Sequence, residues 1–156
     1  YLLEVFAEIV KRQDNALLLL LGEGERMEEM KQKAASLGIA DKVRFCGNQK
    51  ETWNYYQAMD FFVFPSRFEG LPGTVIEAQS AGLRCLISDA VTKECIVTEL
   101  AVSRSLAESP AEWAEYVLAN RDYERTDRYG QIRSAGFDVR EQAKWYERFY
   151  LSGNVE

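Results

Sequence analysis

The sequence predicts an α/β domain built on a doubly wound parallel sheet. Three observations lead there: short all-apolar runs, stretches of helical spacing between them, and a Pro/Gly-punctuated loop that joins one such run to a helix across residues 61–82. A run that is apolar on both faces belongs to a strand covered by helices on both sides, which is the condition of a parallel sheet.

Taken in order, Leu2, Leu3, Phe6, Ile9 and Val10 share one stripe within residues 1–13, which gives a helix that Asn15 breaks. Residues 16–21 are all apolar and read as a buried strand. A helix follows at about 25–37, rich in Glu, Met, Lys and Ala and stopped by Gly38. Strand 42–46, helix 50–58, strand 60–64, helix 73–81 and strand 84–88 continue the alternation. The βαβ order makes right-handed crossovers the default. Beyond residue 90 the pattern thins. A short strand falls at 101–105, then a helix opens at Ser109-Pro110, where Ser caps and Pro takes the first turn, with Trp113, Tyr116 and Val117 facing the core. Residues 122–134 and 139–151 read as two further helices, the last bearing Trp145, Tyr146, Phe149 and Tyr150.

Composition narrows the function classes. A length of 156 residues with 47% hydrophobic content fits one domain with a core of ordinary size. The net charge of -6 argues against a general nucleic-acid surface, which needs a basic face to release counterions. Histidine is absent, so no imidazole from this chain acts as base, nucleophile or zinc ligand. Cys46, Cys85 and Cys95 form neither a C-x-x-C pair nor an even disulfide set and read as inert packing residues of a reducing, cytoplasmic compartment. The longest uninterrupted apolar run, Ala16 to Leu21, is far short of the roughly 20 residues that span a bilayer.

The loop from Pro65 to Gly82 carries two acids, Glu69 and Glu77. Helix-opening N–H groups have no intrahelical partners and lie at the positive end of the helix dipole, so the start of a helix near Gly73-Thr74 suits a phosphate or diphosphate. Gly70 and Gly73 keep side chains out of the way. A carboxylate is repelled by phosphate but accepts readily from paired hydroxyls. Two carboxylates flanking an anion site therefore suit a ligand with a diol on each side of its phosphates. Reach permits it: at most roughly 13 Å of extended chain from Glu69 to Gly73, and roughly 6 Å of helix on to Glu77. A nucleoside diphosphate sugar has that layout. Against this stands the plain reading that both are surface acids favoured by the dipole, worth roughly 0.3–1 kcal/mol each.

The frame around the two acids, Pro-Ser-x-x-Glu-Gly-Leu-Pro…Glu-Ala…Gly, resembles the C-terminal, donor-binding half of a retaining GT-B glycosyltransferase of the large group that includes sucrose synthase and bacterial polysaccharide enzymes. The similarity covers most of the chain. Leu19 to Gly24 matches that family's Leu-x-x-x-Gly-x-Gly strand and loop, Val43 to Gly47 its Val-x-Phe-x-Gly strand, and Ala58 to Ser66 its Ala-x-Asp-x-x-Val-x-Pro-Ser strand. Glu94 matches an acidic position that often follows the next strand. Within the family the sequence is most similar to enzymes of capsule and exopolysaccharide synthesis.

The resemblance implies a Rossmann-like fold and transfer of a glycosyl unit from a nucleotide sugar, such as a UDP- or GDP-sugar, to an acceptor hydroxyl with retention. It implies that Glu69 accepts hydrogen bonds from donor sugar hydroxyls and acts at the catalytic centre, and that Glu77 holds the ribose diol. Gly70, Leu71, Pro72, Gly73 and Thr74 would offer backbone to the leaving diphosphate, with Gly22, Gly24 and Glu94 lining the donor site. Neither glutamate is assigned as nucleophile. No metal and no cofactor is expected. Base recognition is expected to use backbone around Gly47 to Lys50.

The family's donor domain normally starts one strand earlier, with an Arg and a Lys that clamp the diphosphate, and those two residues have no match here. The expectation is thus a single domain, residues 1–156, that is a fragment lacking its first strand and the N-terminal acceptor domain, from an enzyme at the inner face of the membrane. In the family the final helix crosses back onto the other domain; packing on its own sheet is the plain alternative for residues 139–151.

Gly22-Glu23-Gly24 opens a G-x-G-x-x-G dinucleotide fingerprint, but its third position is Met27 and the fingerprint fails; a turn after a buried strand also accounts for these glycines. A receiver domain would want an Asp where Pro65-Ser66 stands. Arg67 reads as an exposed loop arginine beside the site, and Ser66 and Thr74 as caps. A sugar-nucleotide epimerase half-domain and a non-catalytic nucleotide-binding module remain as alternatives.

Overall fold

Parallel strands and helices alternate along the chain in the computed structural model, which describes residues 1–152. β1 (Leu18–Leu21) pairs in parallel with β2 (Val43–Gly47), Leu18 opposite Val43, and the register slips between Leu20 and Leu21. β3 (Phe61–Phe64), β4 (Arg84–Ser88) and β5 (Ala101–Arg104) form a second parallel ladder in that order. The α/β class with parallel strands is as predicted. The backbone hydrogen bonds, however, fall into two ladders rather than one continuous sheet, and β1 and β3 each keep one edge without a ladder partner among the described residues.

Period-two alternation explains why β3 is apolar throughout and β4 is apolar at Cys85, Leu86 and Ile87. Phe62 and Phe64, with Cys85 and Ile87, turn to a core formed with Tyr56 of α3 (Thr52–Ala58), Val75, Ile76 and Ala78 of α4 (Gly73–Ser80), and Ile132 of α6 (Tyr129–Ser134). Phe61 and Val63, with Leu86, turn the other way, to Val5 of α1 (Leu2–Val10) and Trp113, Ala114 and Val117 of α5 (Pro110–Asn120). Helices therefore cover both faces, as the sequence predicted. A third cluster joins Leu3, Phe6 and Ala7 of α1 to Leu18, Leu20, Val43 and Phe45, with Ala34 of α2 (Met27–Ser36). α1 thus touches both ladders. This is why Val5, outside the predicted stripe, is fully buried: α5 packs along a second side of the helix.

The helix predicted over 122–134 is present only from Tyr129 to Ser134. Tertiary bonds pull the preceding residues straight. The Arg84 amide donates to the Tyr123 hydroxyl at 2.9 Å, and that hydroxyl donates to the Gly82 carbonyl at 3.0 Å. The Arg125 guanidinium donates to the carbonyls of Tyr56, Gln57 and Met59 at 2.8, 3.0 and 3.1 Å, tying down the carboxyl end of α3. Short 3-10 turns at Ala40–Lys42 and Lys93–Cys95 were not foreseen.

Ser109 and Glu112 form the predicted cap of α5, each side chain bonded to the other residue's amide, with Pro110 in the first turn. The final helix, α7 (Val139–Ser152), is capped by Asp138, which accepts from the amides of Arg140 and Glu141 at 2.9 and 3.0 Å. It buries none of its residues. Trp145 and Phe149 stack at 5.5 Å on an open surface with Tyr146 and Tyr150, so packing on its own sheet is not what this helix does. Cys85 and Cys95 are buried free thiols and Cys46 is a half-buried one, as packing residues would be.

Candidate functional site

The loops that follow parallel strands carry the sequence-predicted residues, the end of the sheet where open α/β folds bind ligands. β3 ends at Phe64 and runs through Pro65-Ser66 to α4, which opens at Gly73. Pro72 stands at the cap position in extended conformation and offers no side-chain hydrogen bond, so the α4 amides at Gly73 and Thr74 keep their donors for a ligand. A Cβ at Gly70 or Gly73 would meet nothing within 4 Å. The space in front of the helix is open, which an anion approaching those amides requires.

The two acids are held differently. Glu69 lies half-buried in the loop and accepts from the Ser66 hydroxyl, Oγ to Oε1, at 2.9 Å. Ser66 is itself fixed from behind, because its carbonyl accepts from the hydroxyl of Ser88, the fully buried end of β4. Ser66, expected as a turn cap, lies within 3.2 Å of the Phe68 carbonyl as such a cap would, and its shorter bond goes to the acid. Glu77 is exposed one turn into α4, and its Oε2 accepts from the Tyr56 phenol at 3.0 Å. Burial raises the Tyr56 phenol's pKa and the Glu77 charge raises it further, so it stays a protonated donor. Among the described residues, Oε1 of Glu77 has no side-chain partner.

Gly22 sits at the end of β1 with φ of +120°, a conformation open to glycine, and its amide donates to the Gly47 carbonyl at 2.8 Å. The loop from Gly22 to Gly24 is tied to the β2–α3 loop through Asn48, which donates to Glu23 at 3.1 Å. Between that loop and α3 lies an open hollow lined by Asn48, Gln49, Lys50, Glu51, Asn54 and Tyr55, where the sequence placed base recognition. Glu94 follows β4 on the exposed 3-10 turn, its amide bonded to the Thr92 hydroxyl at 3.4 Å. Arg67 is exposed, as expected.

Sequence reasoning missed two supports. Tyr56 is one; its only trace is an aromatic on the inner side of α3. Gln79 is the other, a fully buried amide on α4. Its Nε2 donates to the Val75 and Cys95 carbonyls at 3.0 and 2.7 Å, and its Oε1 accepts from the amides of Val97 and Thr98 at 3.1 and 2.9 Å and from the Thr98 hydroxyl at 3.0 Å. The segment after Glu94 is bolted to α4 by this one side chain.

Residues 1–120 match the family model described as glycosyl transferases group 1. The chain is 34% identical over 122 residues to the putative glycosyltransferase EpsF of Bacillus subtilis, across 75% of this chain and 31% of that protein. It is 31% identical over 84 residues to a UDP-Gal:alpha-D-GlcNAc-diphosphoundecaprenol alpha-1,3-galactosyltransferase of Escherichia coli, across 53% of this chain and 22% of that one. The fold superposes on the pneumococcal O-GlcNAc transferase GtfA, solved with UDP and GlcNAc, with a TM-score of 0.75 at 17% identity, covering 99% of this chain and 33% of that one. The chain thus spans a third or less of these proteins.

Proposed function

The chain belongs to the group 1 glycosyl transferases, and we propose that it is the nucleotide-sugar-binding domain of an enzyme that transfers a sugar, with retention, to an acceptor hydroxyl in surface polysaccharide or glycolipid synthesis. The observation that carries this reading is the α4 start: amides free at Gly73 and Thr74, with an anchored acid on either side at Glu69 and Glu77. The diphosphate lies against the amides. Glu77 takes the ribose diol and Glu69 the hydroxyls of the sugar.

Chemically, the bond between the anomeric carbon and the diphosphate oxygen breaks while the acceptor oxygen bonds to the same carbon on the same face, and the acceptor hydroxyl's proton passes to the departing diphosphate oxygen. Charge accumulates on the leaving diphosphate. Amides already aimed at it stabilise that charge without reorganising, which is electrostatic catalysis. A diphosphate needs no carboxylic acid to protonate it, so neither glutamate serves as a hydrolase-type acid or nucleophile. The reading calls for no metal ion and no cofactor, the nucleotide sugar being a substrate. Gly22, Gly24 and Glu94 line the donor site, and the hollow beside Asn48 to Tyr55 receives the base.

The same reading makes residues 1–156 one domain of a longer enzyme, without its first strand and its acceptor-binding domain. The split sheet supports this. β1 and β3 each have an open edge, α1 touches both ladders, and one more parallel strand feeding α1 would join them by the usual right-handed crossover. α7, with its bare aromatic face, is the helix that packs on the acceptor domain. No helix among the described residues is long and apolar enough to cross a membrane. Separately, in the proposed function the enzyme works in the cytoplasm, at the inner face of the membrane.

Calorimetric titration of the natural protein that contains this chain, with UDP, GDP and their sugars, tests the assignment. One nucleotide diphosphate should bind, and Glu77→Ala should weaken it about tenfold or more. Absence of binding at millimolar concentration, or equal binding by Glu77→Ala, contradicts it.

A further inference from the structure

Glu77 is exposed on a helix surface, and an exposed glutamate samples several rotamers whose freedom is lost when a ligand binds. Here one contact removes that freedom beforehand. The Tyr56 ring is 94% buried in the core, edge-on to Phe62 at 6.0 Å and 70°, so it has no room to swing. Its hydroxyl meets Oε2 of the exposed Glu77 at 3.0 Å. The helix behind it is fixed in turn: Arg125 accounts for the carbonyls of Tyr56, Gln57 and Met59 at the end of α3. Arg125 lies beyond residue 120, outside the stretch the family model matches.

We propose that Tyr56 is a positioning residue for nucleotide binding: its phenol holds one oxygen of Glu77 so that the other, Oε1, is presented to the 2′ and 3′ hydroxyls of a nucleoside diphosphate. This rests on the reading of Glu77 as the ribose holder. A phenol has one hydrogen, and Tyr56 spends it on Glu77. Oε1 stays free for the diol, and the carboxylate plane is set before the ligand arrives. Burial, and then the hydrogen bond to Glu77 and its charge, raise that phenol's pKa, so it remains a donor.

Tyr56→Phe removes the hydroxyl and leaves the ring. The test measures affinities for UDP and for 2′,3′-dideoxy-UDP, with the two guanine counterparts run in parallel, in the natural protein carrying wild-type, Tyr56→Phe, Glu77→Ala and doubly substituted chains. The proposal expects Tyr56→Phe to weaken the ribonucleotide about three- to tenfold while leaving the dideoxy analogue unchanged, and to add nothing once Glu77 is alanine. A packing role alone would lower both affinities together, or would add to the loss in the double variant, and either result overturns it. So does a Tyr56→Phe protein that binds like wild type while Glu77→Ala does not. If Glu77→Ala itself leaves the preference for ribose intact, the ribose reading of Glu77 fails, and the role of Tyr56 falls with it.

Discussion

The Ser66 hydroxyl donates to Glu69 across 2.9 Å, so the loop acid is steered by the residue that leaves its own strand. Ser66 is in turn held by Ser88 from the next strand. The direction of Glu69 is therefore set from the sheet. Ser66→Ala should spare UDP binding and weaken the extra affinity contributed by the sugar of a UDP- or GDP-sugar, about three- to tenfold. Competition binding of nucleotide against nucleotide sugar measures it; equal loss for both ligands would show that Ser66 acts on the diphosphate instead.

Gln79 satisfies five hydrogen bonds inside the protein with one amide. Gln79→Leu keeps the volume and strands the Cys95 carbonyl and the amides of Val97 and Thr98. A loss of about 2–4 kcal/mol is expected, from buried polar groups left without partners. Urea denaturation with an unchanged slope would register it. A loss under about 0.5 kcal/mol would mean that water replaces the amide.

Much of this architecture is legible in the sequence, and the failures share a cause. The run Phe61-Phe62-Val63-Phe64 reads as a two-faced strand because both faces do meet helices, and Ser109-Pro110 reads as a helix start because a cap is a local event. Glu69, Glu77 and the Gly-Pro loop stand out for the same reason: their spacing lies within one stretch of chain. Tyr56 does not, because its meaning comes from a residue 21 positions away. Gln79 looks like an ordinary polar helix residue until the 95–98 segment folds over it. The run before α6 reads as helix locally but is straight, because the bonds of Tyr123 and Arg125 to the α4–β4 turn and to α3 are tertiary and override local preference.

Gly82 closes the turn between α4 and β4 with φ of +74°, and a Cβ there would stand 2.9 Å from Cγ of Arg125 and 3.0 Å from the Thr126 carbonyl. Both the backbone conformation and the space demand glycine. Gly82→Ala should cost about 1–3 kcal/mol and loosen the strap that Arg125 throws over α3. Faster hydrogen exchange at the amides of α3, beyond the global change, is the expected signature. Unchanged stability would place the strap elsewhere in solution.

The α5 cap predicts a pH dependence. Hydrogen bonds from the Ser109 hydroxyl, and then from its amide, hold the Glu112 carboxyl below the usual glutamate range. A depressed folded-state value means the stabilisation is complete above the unfolded value of 4.5 and disappears as pH falls through the lower folded value. Ser109→Ala should therefore lower the melting temperature at neutral pH, and its gap from wild type should shrink in acid. A gap that stays constant across that range would show that the carboxylate takes no part in the cap.

In the proposed function the start of α4 receives a diphosphate while Glu77 receives the ribose. Amide chemical shifts in ¹⁵N-labelled protein, followed as UDP or GDP is added, test it most directly. The largest saturable changes are expected at Gly73 and Thr74, with Glu77 and the loop from Gly70 moving in step and α5 unmoved. Saturable binding with those amides silent, and the changes gathered elsewhere on the domain, would contradict it.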